Sequence, residues 1–397
     1  MEDLMDNLYI DIGSTYFKIG YGSYTEQFFR DFNIDIYDDL KRKCGSILKK
    51  YGRENIHICS SANGGLSTLI IGLTSLFSIK YATNIAFNSG INIIDRVIYS
   101  DIEDREVPKG SIDVVIIVGG VDSVEPKFDN RLLKFLKMVD YNNIVYVGNR
   151  VDLKFLERYI PNLVVLPNII TDRLKINEKP LREYLTHLYQ SDIVGREDIK
   201  RLYEITSNQI YPTPYIVNLS LPKIRDIFDV VDPFLVVDIG GATTDIHYST
   251  DLIVGKNIIT ESGYDRVVFK KLGVYKSREN LIFSAKSNEF VYELLEYLKV
   301  NDTILEEKSS RATKVLMQLA IFLVLYYVSN SNSEDIELRL EALNSIIITG
   351  GVSKVLRDVD IEEVVQFFYK KILHFDTAPE IIVDRDYRIW TLGLERL

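Results

Sequence analysis

FLVVDIGGATTDIHYS, running from Phe234 to Ser249, decides the fold. An apolar run, Phe234 to Val237, ends in Asp238, turns through Ile239-Gly240-Gly241-Ala242, and restarts as Thr243-Thr244-Asp245-Ile246-His247-Tyr248. Apolar runs on either side of a glycine pair predict a buried β-hairpin. A hairpin turn needs only Asn-Gly or Asp-Gly, yet this tip concentrates two carboxylates, two glycines and two threonines. Backbone N–H groups on a glycine turn, with the Thr243 and Thr244 hydroxyls beside them, suit phosphate oxygens. A carboxylate such as Asp238 suits Mg²⁺, which dehydrates reluctantly and takes few protein ligands. Asp245 has two readings: it orients water or metal, or it caps the turn by accepting backbone N–H groups. The first is carried forward.

The same grammar occurs at the start of the chain. LYIDIGSTYFKIGYGS, Leu8 to Ser23, has an apolar run, then Asp11, Gly13, Ser14 and Thr15, then a second strand bearing Lys18. The two stretches are an internal repeat of one structural idea. A third glycine site lies in SIIITGGVSKVL, Ser345 to Leu356, where Gly350 and Gly351 join a strand to a helix. Gly64-Gly65 and Gly119-Gly120 also follow strand-like runs, but a glycine pair there is more often simple turn chemistry.

At 397 residues, a prior of ~150 residues per domain gives two or three domains. The chain is 46% hydrophobic and 26% charged, which is enough to build sizeable cores. The net charge of −10 argues against a general nucleic-acid binder. Two cysteines, Cys44 and Cys59, make no disulfide framework or cluster motif and fit a reducing cytoplasm. The acidic start MEDLMDN carries no targeting pattern. The most hydrophobic stretch, Val315 to Val328, is interrupted by Gln318; it falls short of the ~20 residues of a membrane span and predicts a buried helix.

Between about 56 and 175, short apolar strands (IHICSSA, IDVVIIV, NIVYVGN, LVVLPNII) alternate with helix-length stretches, predicting an inserted α/β unit with a parallel sheet. A charged helical pattern follows from Pro180 and is expected to stop at Tyr211-Pro212-Thr213-Pro214. Downstream, Leu252 to Thr260 predicts a strand, and Glu289 to Lys299 and Ser309 to Val328 predict helices. No long linker separates these parts, so the domains interleave. No P-loop, GxGxxG, HExxH or GxSxG pattern competes. The four histidines are scattered without metal spacing, and His247 is expected to be an ordinary strand residue on the sheet.

The three glycine motifs, in this order, resemble the actin, sugar-kinase and heat-shock ATPase superfamily. The resemblance implies an α/β, two-lobed, actin-like ATPase with a duplicated ribonuclease H-like fold. Lobe I would take residues 1–232 and 385–397, including the insertion at about 56–175, and lobe II residues 233–384. It further implies ATP and Mg²⁺ as ligands. Asp11, Gly13, Ser14, Thr15 and Lys18 would form one phosphate site; Asp238, Gly240, Gly241, Thr243 and Thr244 would form the other. Gly350 and Gly351 would lie against adenosine, and Asp11 and Asp238 would face the metal.

Longer stretches are similar to the accessory proteins of coenzyme-B₁₂-dependent glutamate mutase, the MutL or GlmL type. They are DIGSTYFK, CSSANGGL, VGGVDS, YVGNR, IYPTPY, the long second hairpin, ITGGV and DRDYRIWTLGL. That resemblance implies an ATPase that reactivates an adenosylcobalamin-dependent mutase or aminomutase, with mutase subunits as partners and no nucleic acid or membrane. It leaves the oligomeric state open. One departure stands out: the family usually has an acidic segment before a Leu-Gly, where this chain reads FKKLG, Phe269 to Gly273. Two other readings remain, an actin-like filament or scaffold protein, and a small-molecule kinase with Asp245 or Asp122 as base. Two distant cysteines disfavour the iron–sulfur activators of the same superfamily.

Overall fold

The computed structural model describes residues 7–22, 24–61, 66–89, 91–171, 175–195, 200–254, 263–330 and 337–396. β1 (Leu8–Ile12) buries every residue but Tyr9, as a central strand covered on both faces does. It forms an antiparallel hairpin with β2 (Tyr16–Tyr21), which continues into β3 (Tyr24–Phe29). On its other side β1 pairs in parallel with β4 (Ile56–Ser60), and β4 with β10 (Tyr211–Pro212).

The second half repeats this plan. β11 (Phe234–Ile239) forms an antiparallel hairpin with β12 (Thr244–Ser249), followed by β13 (Tyr264–Phe269). On the other side come the parallel strands β14 (Ser345–Gly350) and β15 (Glu380–Val383). The orders β3-β2-β1-β4-β10 and β13-β12-β11-β14-β15 are the same order twice. The repeat seen around Asp11 and Asp238 is therefore a repeat of whole sheets, the duplicated α/β fold expected.

A third sheet is entirely parallel. It comprises β5 (Leu66–Gly72), β6 (Ile91–Ile98), β7 (Ile112–Val118), β8 (Tyr141–Val147) and β9 (Val164–Val165), in the order β6-β5-β7-β8-β9. Its strands span 66–165, which corrects the expected start at 56: β4 belongs to the first sheet, between β1 and β10. An apolar strand buried on both faces reads alike in either sheet, and nothing in the run itself encodes its hydrogen-bonding partner.

Two further expectations change. Tyr211-Pro212-Thr213-Pro214 starts a helix, Thr213–Phe228, with Pro214 in the first turn, where a missing N–H costs nothing. The strand expected from Leu252 reduces to a 3₁₀ turn at Thr250–Leu252 and an isolated bridge from Ile253 to Leu338; residues 255–260 lie outside the described residues, as do Gly64 and Gly65.

The helix Ser310–Ser329 fills the second lobe's core, with Leu316, Leu319, Phe322 and Leu323 fully buried. Among the described residues it alone is long and apolar enough to cross a membrane, and 72% of that stretch is buried inside the protein. Gln318, the interruption in its apolar run, donates to the Asp360 carbonyl at 2.8 Å. Between the lobes, the helices Thr213–Phe228 and Arg388–Glu395 pack together with Phe234, Val236 and Ile347 from β11 and β14. Their approach is close: a Cβ on Gly393 would stand 2.0 Å from the Ile216 carbonyl oxygen.

Candidate functional site

Both hairpins close in the same way. Gly13 N–H donates to the Tyr16 carbonyl and Gly240 N–H to the Thr243 carbonyl, each at 2.9 Å. The next two amides, of Ser14 and Thr15 in one turn and Gly241 and Ala242 in the other, donate to no described group. Such undonated N–H pairs on a turn make an anion-binding concavity. The two tips touch. A Cβ on Gly241 would lie 1.9 Å from Thr15 Oγ1 and 3.3 Å from Ser14 Oγ, so only glycine lets them meet. Thr244 is fully buried and spends its hydroxyl on the Leu272 carbonyl at 2.8 Å. Thr243 donates to Asp245 Oδ2 at 3.2 Å.

The two aspartates at the ends of the central strands differ. Asp11 stands opposite Lys18 in the ladder and holds its ammonium at 3.0 Å. It also accepts from Thr213 Oγ1 at 2.6 Å, with Cys59 Sγ at 3.6 Å. Burial alone would lower the Lys18 ammonium, but the Asp11 and Asp238 carboxylates outweigh it and hold it above the usual lysine range. The Nζ atoms of Lys18 and Lys354 each lie 5.0 Å from the Tyr387 ring centroid.

Asp238 stands opposite Asp245 and beside Thr349, and no described group hydrogen-bonds to its carboxylate. Burial pushes it up to about 6 against the opposing pull of Lys18. Gly350, at φ +82°, lies directly against it; a Cβ there would be 2.3 Å from Asp238 Oδ1. Asp245 is committed elsewhere. It pairs with the buried Arg266, through Nε at 3.1 Å and through Nη2. His247, opposite Arg266 in the ladder, is buried and held neutral by desolvation and by that guanidinium.

Among the described residues no group of three His, Cys, Asp or Glu side chains could hold a metal ion. That is compatible with Mg²⁺, which usually binds through one or two carboxylates plus substrate phosphates. Asp238 fits that role, as a carboxylate to which no described group hydrogen-bonds and which desolvation pushes up to about 6. Asp11 does not fit it in this arrangement, because Lys18 and Thr213 already occupy its two oxygens.

At the other end of the site, Gly351 N–H donates to the Ile239 carbonyl at 3.0 Å and Ser353 Oγ to the Gly350 carbonyl at 2.9 Å, fixing the glycine pair to the second hairpin. Thr349 Oγ1 donates to Asp384 Oδ2 at 2.9 Å, and Asp384 also accepts from the backbone N–H of Arg388 and Ile389 at the start of the last helix. Sequence reasoning missed Thr213, Cys59, Lys354, Arg266, Asp384 and Tyr387. Lys354 sits in the quoted ITGGV region and Tyr387 in DRDYRIW, but nothing local marks either as a neighbour of Lys18.

The family model described as "MutL protein" matches residues 7–318. A curated relative, Protein MutL of Clostridium tetanomorphum, is 25% identical over 226 residues, covering 54% of this chain and 48% of the relative. The chain thus spans about half the length of the curated relative it matches. Similar solved structures include a nucleotide-free acetone carboxylase (TM-score 0.38, 12% identity, 98% of this chain and 70% of that one). A glycerol dehydratase reactivase is another (TM-score 0.33, 8% identity, 98% and 99%). At these scores the superpositions carry no weight of their own; the doubled strand order does. With more than half of its length matched, the chain belongs to the MutL protein family.

Proposed function

We propose that the cleft between the two hairpins binds ATP with Mg²⁺ and that the protein is an ATP-hydrolysing reactivating factor for an adenosylcobalamin-dependent mutase. The observation that carries the nucleotide reading is the pair of tips, closed by the same bond, each with undonated amides and in contact with each other. Amides aimed at fixed positions stabilise phosphate charge without reorganising. Asp238 would hold Mg²⁺, which when bound would neutralise phosphate charge. Lys18 stays protonated and Asp11 keeps it oriented. Because the tips touch, phosphates enter only when the lobes part, and a partner that prefers one lobe arrangement is coupled to nucleotide. Family membership motivates the mutase as that partner.

The test has two stages. Purified protein should release phosphate from Mg-ATP, and Asp238→Ala should lower turnover at least about a hundredfold, equivalent to about 2.7 kcal/mol of transition-state stabilisation, with circular dichroism unchanged. Equal turnover in the variant would remove the site assignment. The mutase assignment fails separately if ATP does not promote release of inactive cobalamin from a candidate mutase.

A further inference from the structure

Away from the cleft, a cavity of about 700 Å³ lies between the third sheet and lobe II, within the usual range for ligand sites. Two edge strands contribute to its walls: among the described residues β6 pairs with β5 alone, and β13 with β12 alone. Among the described residues the lining includes apolar Ile93, Phe269 and Tyr327, and four cations, Arg96, Arg105, Lys270 and Lys271, with one carboxylate, Asp95. Arg105 is bound to Asp95 at 3.1 Å, and Lys270 donates to Asn92 Oδ1 at 3.0 Å and to the Ile93 carbonyl. This excess of cations in the lining contrasts with the net charge of −10 of the whole chain. The β6 edge is bulged: pairing skips from Ile93 to Asp95 and leaves Ile94 as the extra residue, 46% exposed on the cavity wall. A bulge blunts an edge against strand addition, so the occupant is held by side chains.

The cavity connects to the cleft through the backbone. Lys270, Lys271 and Leu272 run directly into a loop that grips the second hairpin tip. A Cβ on Gly273 would be 2.2 Å from the Ala242 carbonyl carbon. Val274 N–H donates to the Gly240 carbonyl at 3.1 Å, and Tyr275 and Lys276 N–H to the Gly241 carbonyl at 2.9 and 2.7 Å. Anything that pulls on residues 270–272 pulls on Gly240 and Gly241.

We infer that this cavity receives an acidic segment of a partner protein, with an apolar side chain on its floor, and that its occupancy biases the second hairpin tip. Charge complementarity selects the occupant, and binding there and in the cleft is linked reciprocally. The coupling rests on the nucleotide reading; the docking does not.

The experiment uses the full chain and a fluorescein-labelled peptide of glutamates and leucines, with a lysine–leucine peptide as control. Anisotropy should show salt-sensitive binding of the acidic peptide only. The double variant Lys270→Glu/Lys271→Glu should weaken it at least about tenfold. Lys271→Glu alone, at an exposed position, should weaken it in the same direction if the double variant does not fold. Undiminished binding by both variants, preference for the basic peptide, or a self-associated form that these charge reversals dissolve would each overturn the assignment, the last in favour of a second copy as occupant. Fluorescent ATP is titrated in parallel. Peptide binding without nucleotide binding overturns the cleft reading alone, and nucleotide binding without peptide binding overturns the cavity assignment alone.

Discussion

Asp238 is the open carboxylate of the proposed nucleotide site, and its protonation makes a prediction with a definite sign. Its folded pKa, about 6, lies above the ordinary value near 4. The folded state therefore binds more protons than the unfolded state between about pH 4 and pH 6, and stability from this group falls as pH rises through that window. Asp238→Asn should raise the melting temperature at about pH 7.5 and change it little at about pH 5, where the native residue is already mostly protonated. The same variant should lose Mg-nucleotide binding. Scanning fluorimetry at both pH values, without metal, checks the first point; destabilisation at the higher pH would contradict it. Gly241 tests tip contact by a different route. Gly241→Ala puts a methyl 1.9 Å from Thr15 Oγ1, and should lower the melting temperature of the nucleotide-free protein by forcing the tips apart. Adding Thr15→Ser, which removes one methyl group but keeps the hydroxyl, should recover little of the loss, whereas Thr15→Gly should recover more.

At the level of elements, the last helix is held by one buried carboxylate. Asp384 accepts from Thr349 Oγ1, Arg388 N and Ile389 N. Asp384→Ala removes a helix cap and leaves a buried hydroxyl unmet, at a cost of about 1–3 kcal/mol; chemical denaturation measures it, and a change below about 0.5 kcal/mol would argue against the capping role. Elements were also where the sequence was most and least legible. The hairpins at Asp11 and Asp238 announce themselves, because an apolar run, a glycine turn and a second run are all local signals. β4 did not announce its sheet, since its partners β1 and β10 are distant in sequence. β10 has only two residues and contains Pro212, so no periodicity could mark it. The Asp245–Arg266 pair was equally hidden, because the register of β12 on β13 sets it. The tip residues were legible; their commitments to neighbours were not.

Over the whole molecule, the inserted unit is tied to lobe II by polar contacts as well as by the cavity walls. Asn84, on the helix Lys80–Asn88, donates to both oxygens of Asp265 on β13, at 2.7 and 2.8 Å. Burial pushes Asp265 up to about 6. Asn84→Ala should therefore destabilise more at about pH 8, where the carboxylate is charged and loses its donor, than at about pH 5, where it is largely neutral. Urea denaturation at the two pH values measures the difference; an equal cost at both would separate Asn84 from the ionised form.

The duplicated halves differ at one ladder position. Opposite its aspartate the first hairpin has Lys18, while the second has another carboxylate, Asp245, turned to Arg266. The first tip is internally neutralised and the second keeps one open negative charge at Asp238, so the cleft has an electrical polarity that its symmetrical backbone lacks. A cation entering it would meet its open carboxylate on lobe II. On the proposed nucleotide reading, that asymmetry would set an order of departure when the lobes separate, with a bound cation held longest by the half that carries Asp238.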